Sequence, residues 1–383
     1  MKIALVGPAP PLRGGISQYN SLLHGAFSRQ GHETLLISFL RQYPDWLLPG
    51  EKQLDPEAEG RNQAAERLLD SVRPRTWKAT ARRMARFDPE VTVLQWWHPF
   101  MAPCYCGLLK RLRRNTSTRV VMVCHNVLSH EHARFPGRAW AERLLVRRLF
   151  KKVDAFVTHG EEIVGTIRKL SRGQPVGKAF LPIQDYHFSG YDPGPQPSSP
   201  GDPLRLLFFG NVRQYKGLDT LLEALALLPP QLEWRLTVAG EFYLSQDDFR
   251  RQAESLGISP RVRWIPRYLS SREVPSLFRS SDLLVLPYKA ASQSGIIPLA
   301  FLFELPVLAT RVGGLPEVIE HGVNGFLVPP DDPQALAASL QEFLRQGPPA
   351  DLLPNIRALR RRLSWEQVTD TILRVSGEAD RQV

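Results

Sequence analysis

Arg213 and Lys216 sit in the loop of LRLLFFGNVRQYKGLDTLLEAL, between an apolar run that reads as a strand ending at Gly210 and a helix beginning at about Gly217. A guanidinium and an ammonium beside a helix start bind an anion better than either alone, because their charges add to the oriented amides of the first turn. Further along, residues 292–330, SQSGIIPLAFLFELPVLATRVGGLPEVIEHGVNGFLVPP, offer two more loops of this kind. Residues 283–287 (LLVLP) suit a buried strand, 289–294 a polar loop, and Gly295 opens an apolar segment running to about Phe303. Residues 306–310 suit a second strand, followed by the Gly313-Gly314 turn and a short helix near Pro316. Strand, loop and helix in this alternation make a parallel α/β sheet, whose ligands bind beyond the carboxyl ends of the strands. The amides of Ser294, Gly295 and Ile296, with the Gly313-Gly314 loop, are a candidate diphosphate cradle.

The first half repeats the alternation with different chemistry. Residues 2–7 read as a strand, 8–15 (PAPPLRGG) as a loop, 16–29 as a helix and 33–38 as the next strand. Gly14 and Gly15 let a ligand approach the backbone closely before a helix start, which favours anions. The loop is not G-x-G-x-x-G, so no nicotinamide dinucleotide fingerprint is present. Strands over 91–95, 119–124 and 156–158 lead into Trp96-Trp97-His98, His125-Asn126 and His159-Gly160, which brings histidines to one sheet edge. His125, His130 and His132 do not have the spacing of a helical HExxH site, and no bound metal is expected.

With 383 residues, 43% hydrophobic and 23% charged, the chain has the composition of a folded two-domain protein. Three cysteines do not make a disulfide framework and point to a reducing cytosol. Residues 1–7 are too short for a signal peptide, and residues 91–109, though uncharged, are broken by His98, Pro99 and Pro103; no transmembrane helix is expected. Residues 1–200 hold 29 Lys/Arg against 17 Asp/Glu, and the remainder 20 against 21. A basic first half fits an anionic partner, with the clusters at 110–114 and 143–152 against an acidic membrane surface. No aromatic-plus-basic module or helix-turn-helix pattern supports nucleic-acid binding. Residues 41–50 read as an ordered loop, 52–73 as a charged surface helix, and 75–86 as a basic amphipathic helix. The proline-rich stretch 182–203 is the interdomain linker. Ser270 with Glu273, and Ser364 with Gln367, read as capping boxes.

The segment GGLPEVIEHGVNGFLVPPDD, with the loops described, resembles the donor-site segment of the GT-B glycosyltransferases of glycosyltransferase family 4. The resemblance implies an α/β fold of two Rossmann-like domains facing across a cleft. An acceptor domain would cover 1–185, a linker 186–203, a nucleotide-sugar donor domain 204–363, and a helix over 364–383 would cross back. It implies a retaining, metal-independent transfer from a nucleoside-diphosphate sugar to a glycan or lipid-linked acceptor, in cell-envelope glycan synthesis at the inner face of the membrane. It places His125 near the transferred sugar, and Gly14, Gly15, Arg213, Lys216, Ser294, Gly295 and Ile296 at the donor diphosphate. Gly240, Glu241, Gly313, Gly314 and Glu317 stand behind them. Two features depart from the family pattern. Asn211 stands where the family usually has the loop arginine, and the usual pair of glutamates falls on Ser292 and Ala300, or on Ala291 and Leu299. A subgroup carries SQSG here, and Glu304 is the nearest carboxylate. The alternative reading is an inactive GT-B domain serving as a nucleotide-binding or scaffold subunit.

Overall fold

Strand β1 (Lys2–Val6) is apolar at consecutive positions rather than alternate ones, as expected of a parallel strand covered on both faces. The computed structural model describes residues 1–44, 54, 64–128, 136–183, 202–270 and 272–378. Residues 45–50, His130, His132 and most of the expected linker lie outside them. The chain forms two units, one of Met1–Phe180 with the segment from Trp365 onward, the other Leu181–Ser364.

In the first unit β1 is followed by α1 (Gly15–Arg29), β2 (Glu33–Arg41), β3 (Ala65–Asp70), α2 (Pro74–Phe87), β4 (Val91–Trp96), α3 (Ala102–Leu112) and β5 (Arg119–Cys124). Then come α4 (Pro136–Phe150), β6 (Ala155–Thr158), α5 (Glu161–Leu170) and β7 (Val176–Lys178). The sheet runs β3-β2-β1-β4-β5-β6-β7. All its pairs are parallel, with Ile3 of β1 opposite Thr34 of β2 and Val91 of β4. Strand order reverses at β1 and β4, the topological switch point.

The expected helix over 52–73 is not what residues 65–70 form; they are the edge strand β3. Its charges mask the period, because an edge strand can carry charges that pair with neighbouring elements, as Glu66 does with Arg83 of α2. The Arg67 guanidinium donates to the carbonyls of Phe39 and Leu40 at 3.1 Å each, which ties this edge to β2.

Helices α2 and α3 pack together, as do α3 and α4, forming one layer on the sheet. Successive right-handed crossovers in one direction require this. The layer is strongly basic. Helix α2 carries Arg75, Lys78, Arg82, Arg83 and Arg86 and no acid, the end of α3 adds Lys110, Arg111, Arg113 and Arg114, and α4 adds Arg143, Arg147 and Arg148. Among the described residues no helix is long and apolar enough to cross a membrane.

The second unit contains β8 (Leu204–Phe209), α6 (Leu218–Ala226), β9 (Trp234–Ala239), α7 (Gln246–Ser255), β10 (Val262–Ile265), α8 (Val274–Arg279) and β11 (Leu283–Leu286). After these come α9 (Ile296–Leu302), β12 (Val307–Thr310), β13 (Phe326–Val328), α10 (Pro333–Gln346) and α11 (Leu352–Arg360). Its parallel sheet runs β10-β9-β8-β11-β12-β13, reversing at β8 and β11. Arg205 and Asp282 clamp these two strands at their amino ends through side-chain bonds of 2.6 and 3.0 Å. The Ser270–Glu273 pair forms only half a capping box. Glu273 reaches back to the Ser270 amide at 3.0 Å, but the Ser270 hydroxyl donates to the same carboxylate, and α8 begins at Val274. The last helix, α12 (Trp365–Glu378), packs on α1, β5, β6 and β7 of the first unit.

Candidate functional site

The loops after β8 and β11 leave adjacent strands at the point where strand order reverses, so a crevice opens between them. A cavity of about 330 Å³ lies there. Gly210, Arg213, Tyr215 and Lys216 line it from the first loop, and Gln293, Ser294, Gly295 and Ile296 from the second. Gly240 and Glu241, after β9, and Tyr268 and Leu269, after β10, complete the wall. Gly240 has φ 145°, and a Cβ there would stand 2.1 Å from the Gly210 carbonyl oxygen, so only glycine lets these two loops touch.

The cations are held differently. The Lys216 ammonium donates to the Tyr288 hydroxyl at 2.5 Å and lies 4.1 Å from the centre of that ring. The same hydroxyl is 3.4 Å from the Ser294 hydroxyl, which accepts from the Ile296 amide at 3.4 Å. Buried Tyr288 thus links the lysine to the start of α9. Arg213 is exposed and stacked on Tyr243, its guanidinium carbon 3.9 Å from the ring centre. Neither cation has a carboxylate partner among the described residues. Lys289 is the contrast: Asp219 at 2.7 Å and Asp331 at 3.3 Å neutralise it, and the Asp219 bond raises its pKa.

The Gly313-Gly314 turn does not line the cavity. Gly313 has φ 48°, and a Cβ there would stand 1.5 Å from the Ala291 carbonyl oxygen; the Gly314 amide donates to the Ser292 carbonyl at 3.0 Å. The turn therefore buttresses the loop that carries Ser294. Glu317 follows in a short 3-10 turn, also off the cavity wall. Glu304, at φ 55° beyond the end of α9, is buried under Arg357, which donates to both its oxygens at 2.9 and 2.7 Å. That carboxylate fixes α11 and does not reach the cavity lining.

Of the three strand-end histidines in the first unit, two come together. The His125 and His159 rings lie 5.7 Å apart, both edged by Tyr19 at 4.7 and 5.4 Å. His98 instead takes the Phe100 amide at 3.1 Å, a local cap. Burial, then the neighbouring His159, lowers the His125 pKa to about 3; burial lowers His159 to about 4, against hydrogen bonds to the Ala179 and Phe180 carbonyls. Both are neutral at physiological pH. Gly14 (φ 111°) and Gly15 stand exposed at the start of α1, where no side chain caps the first turn. Sequence reasoning did not single out Tyr288, Tyr268, Tyr19 or Asn20. Tyr288 closes the apolar run 283–287, the one signal that could have marked it.

Residues 203–346, which hold every residue lining the cavity, match the family model described as glycosyl transferases group 1. D-inositol 3-phosphate glycosyltransferases of Mycobacterium tuberculosis and Mycobacterium bovis are 33% identical over 196 residues, 48% of this chain and 40% of theirs. The chain thus matches less than half the length of these relatives. Among solved structures, the apo lipopolysaccharide outer core galactosyltransferase WaaB superposes with a TM-score of 0.72 at 15% identity, over 97% of this chain and 99% of that one. Anabaena HepE in complex with UDP gives 0.71 at 17% identity, over 100% and 99%. Sucrose-phosphate synthase of Thermosynechococcus elongatus gives 0.69 at 17%, over 100% and 98%. Residues 203–346 thus form a domain that matches the group 1 glycosyltransferase model, and the two parallel sheets of the chain are those of the GT-B fold.

Proposed function

We propose that the protein transfers a sugar from a nucleoside-diphosphate donor, held in the cavity between the β8 and β11 loops, to a hydroxyl of a glycan or lipid-linked acceptor in cell-envelope synthesis. The observation that carries this reading is the convergence of Arg213, Lys216 and the start of α9 on one cavity, with neither cation neutralised by a described carboxylate. When the bond from the anomeric carbon to the diphosphate breaks, its electron pair stays on the phosphate oxygen. The acceptor oxygen bonds to the carbon, and its proton leaves to the departing diphosphate. Lys216 and Arg213 stabilise the charge that grows on that diphosphate, so the reading needs no metal. Tyr268 and Leu269 at the β10 side offer a flat, partly apolar wall for the base. UDP in the Anabaena neighbour supports a nucleotide in this fold. Retention of anomeric configuration rests on the resemblance to glycosyltransferase family 4.

The basic layer of α2, α3 and α4 favours a location on the anionic inner face of the membrane. On α4, Trp140 is 70% exposed and Leu144 and Leu145 are also open to solvent, beside Arg143, Arg147 and Arg148. Exposed apolar side chains ringed by arginine suit a headgroup interface better than they suit nucleic acid.

Incubation with a panel of nucleotide sugars, scored by release of free nucleoside diphosphate, tests the central reading. Release from at least one donor, stimulated by a glycan or lipid acceptor, is expected. Tight donor binding with no release from any of them would leave a nucleotide-binding subunit instead.

A further inference from the structure

The carbonyl oxygen of Pro8 has no proton, so it can only accept a hydrogen bond. The Asn20 side chain meets it at 3.1 Å and must present its NH2 there. That turns the Asn20 oxygen toward Gln95, whose NH2 donates to it at 3.1 Å. Gln95 is left with its oxygen facing His125 Nε2 at 2.9 Å. An amide oxygen cannot donate, so the proton of this contact is on Nε2. In a neutral imidazole that leaves Nδ1 with a bare lone pair.

We propose that Asn20 and Gln95 are positioning residues that hold His125 in its Nε2-protonated tautomer, making Nδ1 an acceptor for a hydroxyl of the bound acceptor substrate. The tautomer follows from the hydrogen-bond chain alone; its use on that hydroxyl rests on the glycosyl-transfer reading.

The surroundings are built for the chain. Asn20 and Gln95 are both 0% exposed, so water does not compete for either amide. A Cβ at Gly7 would stand 2.6 Å from Gln95 Cγ and 3.1 Å from Asn20 Nδ2, so that glycine keeps the space the relay occupies. Among the described residues, the titratable groups in ring contact with His125 are Tyr19 from α1 and His159 from the end of β6, and neither is a carboxylate that would draw a second proton onto the ring. His159 is fixed the other way. Its Nδ1 donates to the Ala179 carbonyl at 2.9 Å, which leaves Nε2 buried and without a partner among the described residues. Two neighbouring histidines of opposite tautomer supply an internal reference.

Long-range proton–nitrogen correlation spectra of the full chain labelled with 15N-histidine decide the matter, with His125 assigned by its loss in His125→Asn. The expected spectrum shows a pyridine-type Nδ1 and a pyrrole-type Nε2 for His125 from pH 8 down to 5.5, and the reverse pattern for His159. Asn20→Leu removes the anchor but leaves Gln95, whose amide is then free to turn over, so a population protonated at Nδ1 should appear. A wild-type His125 protonated at Nδ1, or doubly protonated near pH 7, overturns the relay without any variant having to fold. An Asn20→Leu spectrum identical to wild type overturns it as well. In the same variant, release of nucleoside diphosphate from the best donor found should fall about tenfold, the effect of one buried hydrogen bond on a reacting group. An unchanged rate with a changed tautomer would remove the positioning role. A wild type that releases no nucleoside diphosphate from any donor, while His125 keeps its tautomer, would sink the transferase reading and leave the relay intact.

Discussion

The two sheets reverse strand order at equivalent places and fill them with opposite electrostatics. At β8 and β11 the crevice is open and lined by two cations without carboxylate partners among the described residues, one over Tyr288 and one against Tyr243. At β1 and β4 the equivalent place is packed with uncharged polar groups, Asn20 and Gln95, leading to a histidine that burial keeps neutral. Topology supplies a switch point in both; the side chains around it decide whether it attracts an anion or orients a hydroxyl. The outer surfaces diverge in the same sense, since the first 200 residues carry 29 basic against 17 acidic side chains and the rest 20 against 21.

The sharpest way to break the comparison is to remove the cations of the second crevice. Lys216→Ala should cost up to about a hundredfold in transfer, because a charge-assisted hydrogen bond to the diphosphate is worth roughly 1.5–3 kcal/mol. Arg213→Ala should cost about tenfold, since that side chain is more exposed and more strongly screened. Steady-state kinetics with the best donor found would check both, and wild-type turnover in Lys216→Ala would refute the assignment of the site.

A second test sets the two surfaces against each other. Arg147→Ala with Arg148→Ala should weaken co-sedimentation with phosphatidylserine-containing vesicles by about tenfold to thirtyfold, at on the order of 1 kcal/mol per cation. The binding should fade as salt rises. Salt-insensitive sedimentation, or none, would remove the membrane surface from the proposal.

The neutral crevice has an acid signature. His125 and His159 have folded pKa values of about 3 and about 4, below the ordinary 6.5, so beneath pH 6.5 the unfolded chain binds protons that the folded chain refuses. Stability should therefore fall as pH drops from about 6.5 toward 4, by about 1.4 kcal/mol per pH unit for each histidine. Denaturant melts across that range should show the slope, and His159→Asn should reduce it by about half. A stability that is level from pH 7 to 4.5 would contradict the burial of both rings.

The smallest effect is expected at Glu304. Because its carboxylate is bound by Arg357 and Arg360 away from the cavity, Glu304→Gln should lower the melting temperature by about 2–4 °C yet leave kcat/KM within about twofold. Loss of transfer without loss of stability would instead give this carboxylate a part in the donor site.

Much of this was legible in the sequence because it is local. Apolar runs such as 283–287 and the glycine-bounded loop at Arg213 and Lys216 fix parallel strands and anion-binding loops through short-range sterics and hydrophobic burial. The basic bias of the first half is likewise a property of composition. The tertiary structure decided what depends on neighbours distant in the chain. Residues 65–70 became an edge strand because β2 offered them a free ladder, against their charged pattern. Gly313 buttresses the Ser294 loop because the backbone at Ala291 lies where a Cβ would be, a contact no local pattern encodes. Lys216 and Lys289 have the same ammonium, yet only the fold brings Asp219 and Asp331 to one and Tyr288 beneath the other. The proton on His125 depends on Pro8, Asn20 and Gln95, three positions that meet only when β1, α1 and β4 are packed together, so no local pattern could encode it.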